Sequence, residues 1–173
     1  TLETAPAEAQ ERLANAASLN GFLPNLLGVL ANAPTALETY QTVGAINMRT
    51  SLTPTEREIV QITAAKTNGC GFCLAGHTKI SLDKFKLDPE LEEAIGQLAP
   101  LEDKNLNGLA QFTLALMHKK GHVSDADLSE FFAAGYNDQQ AVEVILGISL
   151  ASLCNYTNNL AKTLINPELQ AYA

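Results

Sequence analysis

The sequence lacks several features that would place it outside ordinary globular proteins. Its formal net charge is −8 at pH 7, and Lys119-Lys120 is the only basic cluster that stands out, which disfavours binding to a phosphate backbone. Its longest apolar run, residues 141–154, contains Glu143 and falls short of the roughly 18 apolar residues that a membrane-spanning helix needs. We therefore expect neither nucleic acid nor a membrane as a partner.

Cysteine is scarce as well. The chain has three cysteines, an odd number of which only two lie close together, and this argues against a secreted disulfide scaffold. The first twelve residues, TLETAPAEAQER, have neither the basic nor the apolar region of an export signal. We expect a reducing, cytoplasmic setting.

The residues that are present fit a single helical domain. With 173 residues, 46% of them hydrophobic and 17% charged, the chain can bury a core without metal or disulfide support. No segment sustains a period of two, whereas apolar residues between Leu106 and Met117 recur at three- and four-residue steps. No stretch resembles a linker. We predict an all-α, single-domain bundle over residues 1–173, with about eight or nine helices.

Capping signals divide this domain into helices. Thr53-Pro54-Thr55-Glu56 fits a capping box, and Asn68-Gly69 ends the helix that begins there. The predicted helices lie at about 6–18, 22–32, 35–49, 54–67, 70–83, 89–97, 103–120, 125–134 and 138–164. The apolar density of residues 141–154 predicts that the last helix is buried on nearly all sides and forms the centre of the core.

Two cysteines and one histidine are concentrated in residues 68–77, NGCGFCLAGH. Because Asn68-Gly69 breaks the chain, Cys70 lies at the start of a new helix and Cys73 in its first turn. At 100° per residue, Cys70, Cys73 and His77 fall within an arc of about 60°. The three side chains therefore share one face of the predicted helix.

This position favours redox chemistry. The unpaired amides and positive dipole end of a first helical turn stabilise a thiolate, and two thiols at CxxC spacing can close a small disulfide. His77 could take or return the thiol proton. Two alternatives remain open: both cysteines could be plain core residues, or they could bind a structural zinc, although only the distant Cys154, His118 and His122 remain as further ligands.

The other chemistry-bearing residues have plainer interpretations. Cys154 lies on the most apolar helix and is interpreted as packing, and His118 and His122 as solvated residues at a helix end. The polar run Asn155–Asn159 must find partners if it is buried. We favour a structural role for this run over a place in the thiol pocket.

Glu58 is the candidate proton acceptor. Glu56 already has a capping role, whereas Glu58 lies one turn further along and has no local function. Spacing alone leaves open whether Glu58 reaches the thiols or is an exposed charge.

Together, Glu58, Cys70, Cys73 and His77 match the pattern E-x11-C-x2-C-x3-H. This pattern resembles the active site of the alkylhydroperoxidase D-like (AhpD-like) members of the carboxymuconolactone decarboxylase superfamily. Residues 52–78 resemble the central helix pair of that family, 21–34 the segment before it and 135–164 its closing helix. The resemblance extends over most of residues 20–165.

The resemblance implies a thiol-dependent peroxidase, alkyl hydroperoxide reductase or disulfide reductase. It makes Cys73 the residue that attacks the hydroperoxide, Cys70 the partner that closes the redox disulfide, and Glu58 and His77 a proton relay. It implies no metal, flavin or haem, an external thiol reductant that could be a thioredoxin-like protein, a lipoyl group or a small thiol, and a homo-oligomer between dimer and hexamer.

The chain departs from the family at Phe72, where well-known members have a second histidine. The absence of that histidine removes one possible proton carrier, which could alter the rate of the reaction or the choice of partner. We expect the Phe72 side chain to pack in the core. Two other functions remain open. One is a decarboxylase or lactone-processing activity of the same superfamily, which does not depend on a CxxC pair. The other is a non-enzymatic oligomer with an inert CxxC.

Overall fold

Nine α-helices and two shorter helical segments make up the chain, and no residue lies in a β-strand. The computed structural model describes all residues 1–173. The helices are α1 (Ala7–Asn20), α2 (Asn25–Leu30), α3 (Pro34–Asn47), α4 (Pro54–Thr67), α5 (Gly71–Lys79), α6 (Pro89–Gly96), α7 (Lys104–His118), α8 (Asp125–Ala133) and α9 (Asp138–Ala161). A π-helical turn, Ile80–Lys84, follows α5, and a 3₁₀ helix, Pro167–Tyr172, follows α9. The predicted all-α fold class is confirmed.

All nine predicted helices are present, and a side-chain cap starts each of the six from α4 to α9. The Thr53 hydroxyl accepts a hydrogen bond from the Glu56 amide while the Glu56 carboxylate accepts one from the Thr53 amide, as the capping box predicts. One predicted helix, 70–83, is divided. It remains α-helical to Lys79 and then widens into the π-helical turn, where the Phe85 amide bonds the Ile80 carbonyl five residues back.

The centre of the domain is α4, and the prediction that α9 would be central was wrong. Every residue of α4 from Glu58 to Ala65 is buried, because α4 packs against α5, α6, α7 and α9. On α9 the residues Val142, Ile145, Tyr156 and Leu160 are between 50% and 88% exposed. Apolar composition shows that a helix can be buried but not which faces its neighbours cover. No helix combines the length and apolar character that crossing a bilayer requires.

Two hydrophobic cores lie on either side of α4. One is formed largely by α1, α2, α3 and α5 and contains both Cys70 and Cys73. The other is formed largely by α4, α6, α7 and α8 and includes a stack of three rings, with Phe131 between Phe112 at 4.1 Å and Tyr136 at 4.7 Å. Cys70 and Cys73 thus lie in the first of these cores, and the aromatic stack lies in the second.

A close helix contact fixes α9 against α4. Gly147 faces Val60, and its carbonyl accepts a hydrogen bond of 2.9 Å from Gln61 Nε2. A Cβ atom at Gly147 would lie 2.9 Å from Val60 Cγ1, on a stiff β-branched side chain that is itself buried. Only glycine allows this approach.

Gly147→Ala should therefore lower the free energy of unfolding by about 1–3 kcal/mol relative to Gly44→Ala, since an added methyl overpacks the α4–α9 contact. Gly44 is the matched control because it is also helical but has no neighbour within 4 Å of its would-be Cβ, so both variants gain the same helix propensity. Urea denaturation measures both values. Equal stabilities would show that α9 can move away from α4 at no cost.

Candidate active site

The site begins at the corner between α4 and α5. Gly69 has a φ of 66°, the left-handed conformation that ends α4 and turns the chain. Asn155 and Asn159 of α9 hold this corner: Asn68 Nδ2 donates to Asn155 Oδ1 at 2.9 Å, and Asn159 Nδ2 donates to the Asn68 carbonyl at 2.8 Å. The predicted structural role is confirmed for these two asparagines.

Cys70 and Cys73 are joined in a disulfide at the start of α5. Cys70 is the N-cap residue, and its Sγ accepts a hydrogen bond of 3.2 Å from the Cys73 amide. Both cysteines are buried. The unpaired amides of this first turn would stabilise negative charge on either sulfur once the bond is reduced.

Asn158 is the residue that the sequence interpretation placed wrongly. Its Nδ2 lies 3.2 Å from Cys73 Sγ and 3.8 Å from Cys70 Sγ, so this asparagine belongs to the thiol site. Its Oδ1 is buried without a hydrogen-bond partner. The sequence signal for this role was an amide side chain on an otherwise apolar helix. In the structure, neighbouring asparagines of α9 contact both the corner at Asn68–Gly69 and the two sulfurs.

Glu58 and His77 form a hydrogen-bonded pair. His77 Nδ1 lies 2.8 Å from Glu58 Oε2, and Glu58 is buried in α4. Burial by itself would lower the pKa of His77, but the Glu58 charge and its hydrogen bond outweigh burial and raise that pKa above its ordinary value. Of the two readings of Glu58, the structure therefore supports contact with the histidine over an exposed charge.

Cys73 and His77 line the same large cavity. Their spacing of four residues on α5 places their Cβ atoms about 5–6 Å apart. The cavity has a volume of about 640 Å³, and Phe72, Tyr40 and Cys154 also line it. Cys73 borders this cavity, whereas Cys70 does not.

The residues around this cavity mostly follow their sequence interpretation. Phe72 and Cys154 are buried in the core, as predicted. Burial raises the pKa of Cys154 to about 12, which keeps it a neutral thiol. Tyr40 was not predicted. Burial first, and then the proximity of Cys154 and Glu58, raise the pKa of its phenol, so Tyr40 remains a hydroxyl donor in the cavity wall.

A second, polar cavity lies beside Cys70. Its volume is about 480 Å³, and its lining includes Asn158, Asn159, Lys162 and Thr163. The two cysteines of the disulfide therefore border different cavities.

The remaining histidines lie away from the disulfide site. His118 and His122 are exposed around the end of α7, as predicted. No group of three or more His, Cys, Asp or Glu side chains in the structure is arranged to hold a metal ion.

The fold and site define an all-helical domain with a CxxC disulfide at a helix start and a Glu–His pair beside it. Residues 34–113 match the family model of the carboxymuconolactone decarboxylase family, and this match confirms the resemblance seen in the sequence. No curated protein sequence matches the chain.

Solved structures share the fold over nearly the whole chain. An uncharacterised peroxidase-related protein from Ralstonia eutropha JMP134, described as an alkylhydroperoxidase AhpD core, is 21% identical with a TM-score of 0.85, covering 98% of this chain and 90% of its own. The debrominase Bmp8 is 15% identical with a TM-score of 0.76, covering 96% of this chain and 90% of its own. A protein of unknown function from Agrobacterium tumefaciens, provisionally assigned to antioxidant defence as AhpD, is 16% identical with a TM-score of 0.65, covering 76% and 90%. The chain has the AhpD-like helical fold.

Glu58→Gln should lower the pKa of His77, because the carboxylate charge that counteracts burial is removed. Titration of the histidine ring protons by NMR measures the shift. The signals of the exposed His118 and His122 serve as controls within the same spectrum. If His77 titrated identically in both proteins, the charge of Glu58 would have no influence on the pKa of the imidazole.

Proposed function

We propose that this chain is a thiol-dependent peroxidase that reduces alkyl hydroperoxides with its Cys70–Cys73 pair. The observation that carries the proposal is a disulfide whose Cys73 borders the same cavity as His77, which is bonded to a buried Glu58. The AhpD-like fold and the family match support it. A decarboxylase would have no use for the dithiol.

The reaction begins with reduced Cys73. Its thiolate attacks the terminal oxygen of the hydroperoxide, the O–O bond breaks, and the alkoxide leaves as an alcohol with a proton that the His77–Glu58 pair supplies. Cys73 is then a sulfenic acid. The Cys70 thiolate attacks Cys73 Sγ, and hydroxide leaves as water after gaining a proton. The products are one alcohol, one water and the Cys70–Cys73 disulfide.

An external thiol restores the dithiol. The polar cavity supports attack on Cys70, because this residue lines it. The S–S bond then breaks with its electron pair moving to Cys73 Sγ, where Asn158 Nδ2 can stabilise the leaving thiolate. A second thiol releases Cys70 from the mixed disulfide. A thioredoxin-like protein, a lipoyl group or a small thiol could serve, in the reducing cytoplasm that such turnover requires.

Cys73→Ser should abolish hydroperoxide consumption, because it removes the attacking sulfur. Cys70→Ser should leave Cys73 trapped as a sulfenic acid or a mixed disulfide, which mass spectrometry identifies after one equivalent of cumene hydroperoxide. Cys154→Ala controls for the third thiol and should still form the Cys70–Cys73 disulfide, since burial keeps Cys154 neutral. Wild-type consumption by the Cys70/Cys73 double variant would refute the mechanism.

A second candidate reaction is reductive dehalogenation. A cysteine-to-alanine variant of debrominase Bmp8 was solved with 2,3,4-tribromopyrrole, and its fold matches this chain with a TM-score of 0.76. The apolar side chains Phe22 and Phe72 line the large cavity here and could face such a ring. A dithiol can convert a carbon–bromine bond to carbon–hydrogen while forming a disulfide and releasing bromide and a proton. Bromide release from tribromopyrrole separates this reaction from hydroperoxide reduction.

We also propose that the chain forms a homo-oligomer through α9. Val142, Ile145, Tyr156 and Leu160 are exposed and fall within an arc of about 60° on the helix. This stripe, called here the α9 stripe, would be covered by the same stripe of a second copy, as a two-fold contact requires.

The double variant Val142→Asp/Ile145→Asp should shift the protein toward the monomer in analytical ultracentrifugation, because two charges would be buried in an apolar contact. Ala126→Asp, at an exposed position on α8 outside the α9 stripe, is the control and should leave the oligomer intact. A monomeric wild-type protein at tens of micromolar would contradict the proposal.

A further inference from the structure

The large cavity beside Cys73 has a largely apolar lining and an excess of basic side chains. Apolar side chains from α1, α2, α5 and the 3₁₀ helix line it, among them Leu19, Leu26, Leu27, Phe72 and Leu169. Its charged lining residues are Arg12, Lys79, Lys84 and Asp83, together with His77. Such a lining suits a molecule that is mostly apolar and carries charge at one end.

The excess of cations at this cavity contrasts with the acidic chain. Three of the 11 Lys and Arg residues line it, against one of the 19 Asp and Glu residues. Positive charge is therefore concentrated at the opening of a protein whose net charge is −8. A cleft with one sign of charge raises the local concentration of ligands of the opposite sign.

Only one of these cations lacks a carboxylate partner. Arg12 is bonded to Glu38 at 2.7 Å, outside the cavity lining. Lys79 is bonded to Asp83 at 2.5 Å, and Asp83 also accepts a hydrogen bond from the Tyr172 hydroxyl. Lys84 makes no ion pair and lies 5.5 Å from the centre of the Phe85 ring. One lining cation without a carboxylate partner fits a ligand with a single negative charge.

We infer that the substrate is an amphipathic hydroperoxide, with its apolar body in the cavity and a terminal carboxylate paired with Lys84. The hydroperoxide of a long-chain fatty acid has this chemistry. The inference rests on the proposed peroxidase function and adds the class of substrate to it. The carboxylate takes no part in the oxygen transfer and only orients the molecule.

The placement of Lys84 also sets the length of such a molecule. Lys84 follows Cys73 by eleven residues along α5 and the π-helical turn, so their Cα atoms are separated by at most about 16 Å along the axis. Side chains on a helix lean toward its N-terminus, which brings the ammonium group nearer to the sulfur. Cys73 and Lys84 both line the cavity, so a ligand that reaches both would extend over a distance of up to about 16 Å, which suits an extended apolar chain between the reacting oxygen and the carboxylate.

The test compares a long-chain fatty acid hydroperoxide with its methyl ester, which has the same apolar body but no charge. Wild-type protein should show a higher kcat/KM for the acid, and this preference should shrink as ionic strength rises. Lys84→Gln should reduce the acid-to-ester ratio about two- to fivefold, the effect of one partly exposed ion pair. Lys84→Glu should reduce this ratio further, because it places a negative charge where the carboxylate would bind. Lys86→Glu changes the net charge equally outside the cavity lining and should keep the wild-type ratio.

A binding measurement distinguishes the two levels of the proposal. Displacement of a fluorescent fatty acid probe by unreactive fatty acid, in wild type and in Lys84→Glu, reports recognition without any redox step. If hydroperoxides react but acid and ester react equally well, the carboxylate inference is wrong and the peroxidase proposal stands. If no hydroperoxide reacts but fatty acid binds in a Lys84-dependent way, the peroxidase proposal fails and the ligand class is retained. If unreactive fatty acid and its methyl ester displace the fluorescent probe equally well, in wild type and in Lys84→Glu alike, the inference is wrong.

Discussion

The corner at Asn68–Gly69 is the constraint on which the site depends. It ends α4 and starts α5, so it places Cys70 at a helix N-cap and Cys73 one turn further along. The same corner brings α5 back along α4, which lets His77 meet Glu58 although the two are nineteen residues apart in sequence. Asn155 and Asn159 hold the corner with neutral hydrogen bonds, so it needs no charge that would perturb the thiols.

The parts of this structure that local chemistry determines could be predicted from the sequence. The capping box at Thr53, the glycine stop at Gly69 and the single face shared by Cys70, Cys73 and His77 depend only on residues a few positions apart. The parts that depend on how helices pack could not. Asn158 lies 88 residues from Cys70, and no local pattern shows that its amide reaches the sulfurs. The central place of α4 likewise follows from its neighbours, because its own sequence is less apolar than that of α9. The contact of Glu58 with His77 was only partly predictable. The sequence spacing allowed this contact, and only the family resemblance suggested it.

The disulfide separates two chemical environments. Cys73 and His77 line the large, mostly apolar cavity with its excess of basic side chains, whereas Cys70 lines a smaller cavity together with Asn158, Asn159, Thr163 and Lys162. Asn158 is close to both sulfurs and lines the polar side. This separation supports the proposed cycle, in which oxidant and reductant approach the same bond from different sides.

The disulfide bridges residues only three apart, inside a single helical turn. Closing so small a ring restricts the unfolded chain much less than a long cross-link does, and both cysteines are already held by α5 and the pinned corner. The disulfide should therefore add only about 2 kcal/mol to the free energy of unfolding, a fraction of the roughly 5–15 kcal/mol typical of a folded domain. The fold rests on helix packing whether the Cys70–Cys73 bond is open or closed.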